Sequence, residues 1–155
     1  GEQSDAIVVA GGMGAAPLLY LLRTLRAAGK SVSFFYGARS ASELVLRDQY
    51  CGLASVYGEA TDDGSQGQHG RVTELISEEM LGKKPALYAC GPEPMLRAVA
   101  QLAQEHHCRC FVSLEAHMAC GVGACLGCVV PISSGEYARV CVDGPVFAAE
   151  EVFPQ

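Results

Sequence analysis

Four of the eight cysteines, Cys120, Cys125, Cys128 and Cys141, follow the pattern C-x4-C-x2-C with the fourth after twelve intervening residues. Thiolates are soft anionic ligands, and this spacing suits two sulfide-bridged irons of a plant-type [2Fe-2S] site. Gly121, Gly123 and Gly127 let the chain curl between the first three cysteines and turn N–H groups toward sulfur. The competing chemistries are a four-thiolate zinc site and disulfides. Zinc prefers two short cysteine knuckles, whereas here the fourth ligand stands alone. The first residues carry neither the basic nor the apolar stretch of a secretory signal, so the expected compartment is the reducing cytoplasm, where clustered cysteines hold metal rather than pair.

A second chemistry stands at the other end of the chain. Gly11-Gly12-Met13-Gly14-Ala15-Ala16-Pro17 follows a β-branched run and precedes a helical pattern. Small residues there let backbone approach a pyrophosphate, and a helix N-terminus offers it unpaired N–H groups. The motif departs from G-x-G-x-x-G, because Pro17 holds the place of the third glycine and no acidic residue closes the next strand; a plain glycine turn is the alternative. Thr61, Asp62, Asp63, Gly64 and Ser65 offer hydroxyls and carboxylates to a ribose or amide, or form a solvated loop. Cys90-Gly91-Pro92 lies between a strand and a helix, with Cys90 either at the crevice mouth or a buried core thiol. Arg39 meets a nucleotide phosphate or a surface carboxylate. His106 and His107 read as helix-end surface residues, while His117, three residues before Cys120, is either a hydrogen-bond partner of the cluster or a surface residue.

The elements that must position these residues alternate. The pattern predicts strands at 5–10, 31–37, 53–57, 86–90 and 110–114, and helices at 15–28, 41–50, 72–81 and 94–106, with a loop over 59–70. Such β-α alternation implies an α/β fold with a five-stranded parallel sheet whose ligands gather at the carboxyl ends of the strands. Beyond residue 115 the chain becomes rich in Gly and Cys and reads as a small cluster-binding appendage, closed by strands near 129–132 and 137–140. The expected domains are thus 1–115 for the nucleotide and 116–155 for the cluster. With 50% hydrophobic and 18% charged residues the chain is expected to fold. Its net charge of -6, without a basic run, argues against nucleic acid. Glycines and a proline break the longest apolar stretch, so no membrane span is expected.

Taken together, the chain resembles the electron-transfer subunit of type-B dihydroorotate dehydrogenase, in the ferredoxin-NADP reductase superfamily. The resemblance rests on GGMGAAPL at 11–18, YGAR at 36–39, TDDGS at 61–65, YACGPEPML at 88–96, MACGVGACLGCVVP at 118–131 and RVCVDGPVF at 139–147. It implies FAD, one [2Fe-2S] cluster held by Cys120, Cys125, Cys128 and Cys141, and NAD. It also implies an FMN-containing catalytic subunit that oxidises dihydroorotate in pyrimidine biosynthesis, in a heterotetrameric parent. In this light Gly11, Gly12, Gly14 and Pro17 take the pyrophosphate, Thr61 to Gly64 help position the nucleotide, and Cys90, Gly91, Pro92 and Met95 border the nicotinamide. Arg39 keeps NADP open beside NAD. Family members begin with an antiparallel barrel that holds most of the FAD, so the chain is expected to be a C-terminal portion. The alternatives are the reductase component of another flavin and [2Fe-2S] system using NAD(P)H, and a non-enzymatic zinc-binding interaction module.

Overall fold

A computed structural model describes residues 6–154. Asp5, placed by sequence at the start of the first strand, lies outside the described residues. The parallel core comprises β1 (Ala6–Gly11), β2 (Val32–Ala38), β3 (Val56–Thr61), β5 (Ala86–Cys90) and β6 (Cys110–Ser113). Short strands extend it at both edges, β4 (Gln68–His69) beside β3 and the antiparallel β9 (Val146–Ala148) beside β6, giving the order β4-β3-β2-β1-β5-β6-β9. A separate antiparallel pair joins β7 (Val129–Pro131) to β8 (Tyr137–Arg139).

All six residues of β1 are buried, and their period-two alternation divides the core. Val8 and Ala10 pack with Phe34, Tyr36 and Leu22 of α1 (Ala15–Ala27), while Ile7 and Val9 pack with Leu96 and Val99 of α4 (Glu93–Glu105). Each such buried side chain contributes about 1.5–3 kcal/mol of transfer free energy. The second face also takes in Cys128, Ala138 and Val140 of the cysteine-rich segment, together with Phe147, Val152 and Phe153. That segment therefore shares one core with the sheet.

Several boundaries differ from the sequence expectation, for identifiable reasons. The third strand runs over 56–61 rather than 53–57, because Glu59 and Thr61, polar residues that break the apolar pattern, are buried with partners that satisfy them. The helix expected over 41–50 becomes a 3-10 turn at Ala41–Glu43 and a separate α2 (Arg47–Leu53). Leu46 between them adopts φ +55°, which no continuous helix allows. Likewise 72–81 divides into a 3-10 turn (Val72–Leu75) and α3 (Glu78–Gly82), because Ser77 caps the new helix by accepting the Met80 N–H at 3.3 Å. Three-residue β9 and the short α5 (Ala149–Val152) carry too little pattern to be read from sequence.

Candidate functional site

Because the five core strands are parallel, their carboxyl ends share one edge, and the register aligns the candidate residues there. Gly11 faces Gly37, Ala38 faces Thr61, Ala10 faces Cys90, and Cys90 faces Ser113. The strand order reverses direction between β1 and β5, which is where a crevice opens in such sheets. From β3 to β5 the edge spans roughly 15 Å at one strand spacing per step, enough for an extended dinucleotide.

At the reversal two backbone segments touch. A Cβ on Gly14 would stand 2.3 Å from the Cys90 carbonyl oxygen, and Gly91, at φ +156°, packs against Gly11. Only glycine allows this crossing of the β1–α1 and β5–α4 turns. No side-chain hydrogen bond caps α1; the Ala15 N–H is given to the Gly12 and Met13 carbonyls of the 3-10 turn that leads into the helix, so the turn and the helix start form one continuous backbone surface at the crevice. Pro17 sits in that turn, where its missing N–H costs no intrahelical bond.

Two clefts open on either side of this crossing. The first, about 430 Å³, is lined by Gly12, Gly14, Gly91 and Pro92 on one side and by Pro131 and Phe153 on the other. Arg97 also lines it, with its guanidinium 4.6 Å above the Phe153 ring. The second, about 360 Å³, is lined by Gly11, Arg39, Glu43, Asp62, Arg71 and Met95, among others. Pro92 lines both.

Other predicted residues take less exposed roles. Thr61 is fully buried and closes its own turn, donating to the Gln66 carbonyl at 2.8 Å and accepting the Gln66 N–H at 3.0 Å. Asp63 accepts the Ser65 N–H at 2.9 Å, and Gly64 turns the chain at φ +71°. Of Thr61, Asp62, Asp63 and Gly64, only Asp62 is among the residues that line the second cleft. Cys90 is buried beneath the crevice, where burial pushes its thiol pKa up against the opposing pull of a Ser113 hydrogen bond. Its neighbours Gly91 and Pro92 reach the first cleft instead. His107 and His117 are exposed.

The four cysteines of the loop lie as two neighbouring pairs, and among the described residues no group of three or more His, Cys, Asp or Glu side chains closes on a single metal position. Cys120 pairs with Cys125, whose N–H donates to the Cys120 sulfur at 3.4 Å, and the Gly127 N–H donates to the Cys125 sulfur at 3.4 Å. Cys128 pairs with Cys141, their sulfurs in hydrogen-bond contact. N–H groups of Val122 and Cys125, then the Cys125 thiol, draw the Cys120 pKa down to about 6. Hydrogen bonds from Cys141 lower Cys128, and the same contact raises Cys141. Two thiol pairs with backbone donors aimed at sulfur fit a binuclear iron–sulfur cluster, which asks for two thiolates per iron.

A brace invisible in the cysteine spacing holds this loop. Arg139 gives its backbone N–H to Asp143 at 2.7 Å and its Nε to the same carboxylate at 3.0 Å, and extends a terminal nitrogen to the Gly123 carbonyl at 3.5 Å. Near β3, Glu59 accepts both forks of Arg47 at 2.6 and 2.7 Å, the Tyr57 hydroxyl, and Gln66 at 3.0 Å. Glu43 at the second cleft was likewise missed, its only local signal being a place four residues after Arg39.

Residues 8–101 match the oxidoreductase NAD-binding domain, and residues 115–153 match the iron-sulfur cluster binding domain of dihydroorotate dehydrogenase B. The chain is 41% identical over 154 residues to the dihydroorotate dehydrogenase B (NAD(+)) electron transfer subunit of Caldanaerobacter subterraneus subsp. tengcongensis, covering 97% of this chain and 60% of that protein. It is 42% identical over 151 residues to the subunit of the same name from Shouchella clausii, covering 96% and 57%. The chain thus spans less than two thirds of the length of the curated relatives it matches. Among solved structures, an NADH-dependent reduced ferredoxin-NADP oxidoreductase described for flavin-based electron bifurcation superposes with a TM-score of 0.81 at 32% identity, over 97% of this chain and 55% of that one. No described helix is long and apolar enough to cross a membrane. By its glycine crossing, its paired cysteines and these matches, the chain belongs to the oxidoreductase NAD-binding family, in the branch where that domain runs on into the iron–sulfur cluster binding domain of dihydroorotate dehydrogenase B.

Proposed function

We propose that this chain forms the NAD-binding and iron–sulfur portion of a cytoplasmic electron-transfer subunit. In this reading the subunit passes electrons from an FMN-containing, dihydroorotate-oxidising partner to NAD in pyrimidine biosynthesis, within a heterotetrameric parent. One observation carries it: a single cleft takes one wall from the nucleotide-binding turns, at Gly12 and Gly91, and the other from the cysteine-rich segment and its tail, at Pro131 and Phe153. A nicotinamide in that cleft lies against the element that holds the cluster ligands. The domain division at 115/116 is functional in this reading, with 1–115 binding the nucleotide and 116–155 holding the cluster.

The chain's residues have definite tasks. Gly11, Gly12 and Gly14 bring backbone N–H groups to the pyrophosphate, Asp62 faces the adenosine half, and Gly91, Pro92 and Met95 shape the walls near the crossing. Cys120, Cys125, Cys128 and Cys141 hold the cluster, and Arg139 keeps its loop closed. When bound, the cluster supplies one-electron transfer, nicotinamide exchanges two electrons as hydride, and a flavin reconciles the two. We assign FAD mainly to the part of the relatives' length that this chain does not span.

The test is composition and spectrum on protein purified without oxygen. About two irons and two acid-labile sulfides per chain, with visible bands bleached by dithionite, are expected. Cys125→Ser is expected to lose those bands; full retention of iron and sulfide in that variant overturns the ligand assignment, and stoichiometric zinc alone overturns the reading. The likeness to an NADH-dependent ferredoxin-NADP oxidoreductase favours a second reading, a reductase subunit of another flavin system. Dihydroorotate-dependent NAD reduction by the purified complex separates the two.

A further inference from the structure

At the rim of the second cleft the sequence offers a cation and the structure answers it with a carboxylate. Arg39 follows β2 directly, and its guanidinium meets Glu43 at 2.5 Å, while its backbone N–H donates to the other Glu43 oxygen at 3.3 Å. The Arg39 side chain is 83% exposed and that of Glu43 only 32%. The turn carrying Glu43 is fixed from two sides, since the Ala41 N–H donates to Ser65 Oγ at 2.8 Å and the Glu43 carbonyl accepts the Tyr36 hydroxyl at 3.3 Å. Asp62 adds a second negative charge felt by Arg39. Two arginines, Arg39 and Arg71, and two carboxylates, Glu43 and Asp62, line the cleft, so its ionisable lining carries no net positive charge.

A dinucleotide presents either a 2'-hydroxyl or a 2'-phosphate at its adenosine ribose. A hydroxyl donates to a carboxylate, which can only accept. A phosphate also only accepts, and it needs a guanidinium fork free to grip it. We propose that Glu43 determines the nucleotide specificity of this site, accepting the ribose hydroxyls of NAD(H) and rejecting a 2'-phosphate by occupying Arg39 and repelling the added charge. The inference rests on the nucleotide reading of the clefts and names the residue that chooses between the two cofactors. It also supplies the acidic residue that the end of the second strand lacks in sequence: the carboxylate comes back from the following turn.

The experiment titrates the full-length protein bearing this chain with NADH and with NADPH, following reduced-nicotinamide fluorescence. The unaltered protein is expected to bind NADH more tightly. Glu43→Gln is expected to lower the NADH:NADPH affinity ratio by about tenfold or more, the scale of one charged contact. Adding Arg39→Ala to Glu43→Gln reverses only the part of that change owed to the freed guanidinium, leaving the ratio between those of Glu43→Gln and the unaltered protein. Should Glu43→Gln fold poorly, Glu43→Ala provides a second reading and is expected to lower the NADH:NADPH ratio in the same direction. An unchanged ratio in Glu43→Gln, or an NADPH preference in the unaltered protein, overturns the assignment and leaves the cleft as a nucleotide site. Absence of saturable binding of either nucleotide overturns the nucleotide reading, and this inference with it.

Discussion

Gly14 stands where the two turns of the crevice cross, and no other side chain fits between it and the Cys90 carbonyl. An alanine there forces the β1–α1 turn away from the β5–α4 turn, and backbone cannot give way as a flexible side chain does. Gly14→Ala is therefore expected to cost about 1–3 kcal/mol of stability and to weaken NADH binding at least about tenfold by opening the crossing. Thermal denaturation and an NADH titration check the two effects, and tight NADH binding by a destabilised variant shows that the crossing does not shape the nucleotide site. Residues of this kind were legible in sequence because their geometry demands one residue type at one local spacing, and the same reasoning underlies the proposed ligand role of the four cysteines. Glu43, Glu59 and Asp143 were not. A lone carboxylate acquires its meaning from an arginine or a backbone N–H brought to it by register and turn geometry, and for Glu59 and Arg47 that meeting occurs across twelve residues.

The element most dependent on such a meeting is β3. Its polar end is buried only because Arg47 from α2, Tyr57 and Gln66 converge on Glu59. Burial alone would push the Glu59 carboxyl up, but the hydrogen bonds from Arg47, Tyr57 and Gln66 hold it below its ordinary value. A carboxylate with a depressed folded pKa contributes stability that is fully present above its unfolded value, about 4.3, and is lost as pH falls through the folded value. Glu59→Gln is thus expected to lower stability by about 2 kcal/mol at neutral pH. Chemical denaturation across pH should show this difference closing below about pH 4.3; a difference that persists into acid contradicts the ionic account. The same network explains why the sequence placed β3 too early. Periodicity detects apolar faces, and it found β1, β2, β5, β6, α1 and α4 because those elements bury one continuous apolar side. It gave β3 the wrong span and ran α2 and α3 together with the 3-10 turns before them, because there a polar cluster, a left-handed Leu46 and a Ser77 cap decide the boundaries.

On the scale of the whole molecule, the cysteine-rich segment is tied into the sheet at three places. β9 pairs with β6, Cys128 and Val140 enter the core beside Val112, and Phe153 lies under Arg97 with its carbonyl accepting Gln104 at 3.4 Å. A segment that merely hung from the nucleotide-binding half would unfold on its own and release its cluster first. One that shares a core unfolds with it, as small single cores do. The protein is therefore expected to show one thermal transition, in which visible absorbance from the cluster and near-ultraviolet dichroism from the stacked Phe34 and Tyr50 are lost together. Phe153→Ala removes a buried ring, 8% exposed, from the joint and is expected to cost about 3 kcal/mol, moving both signals down by the same interval. If the cluster signal falls at a lower temperature than the aromatic one, the two halves are separate cooperative units. The shared cleft then depends on a joint that opens, and the electron exchange proposed across it would vary with that opening rather than being fixed by the fold.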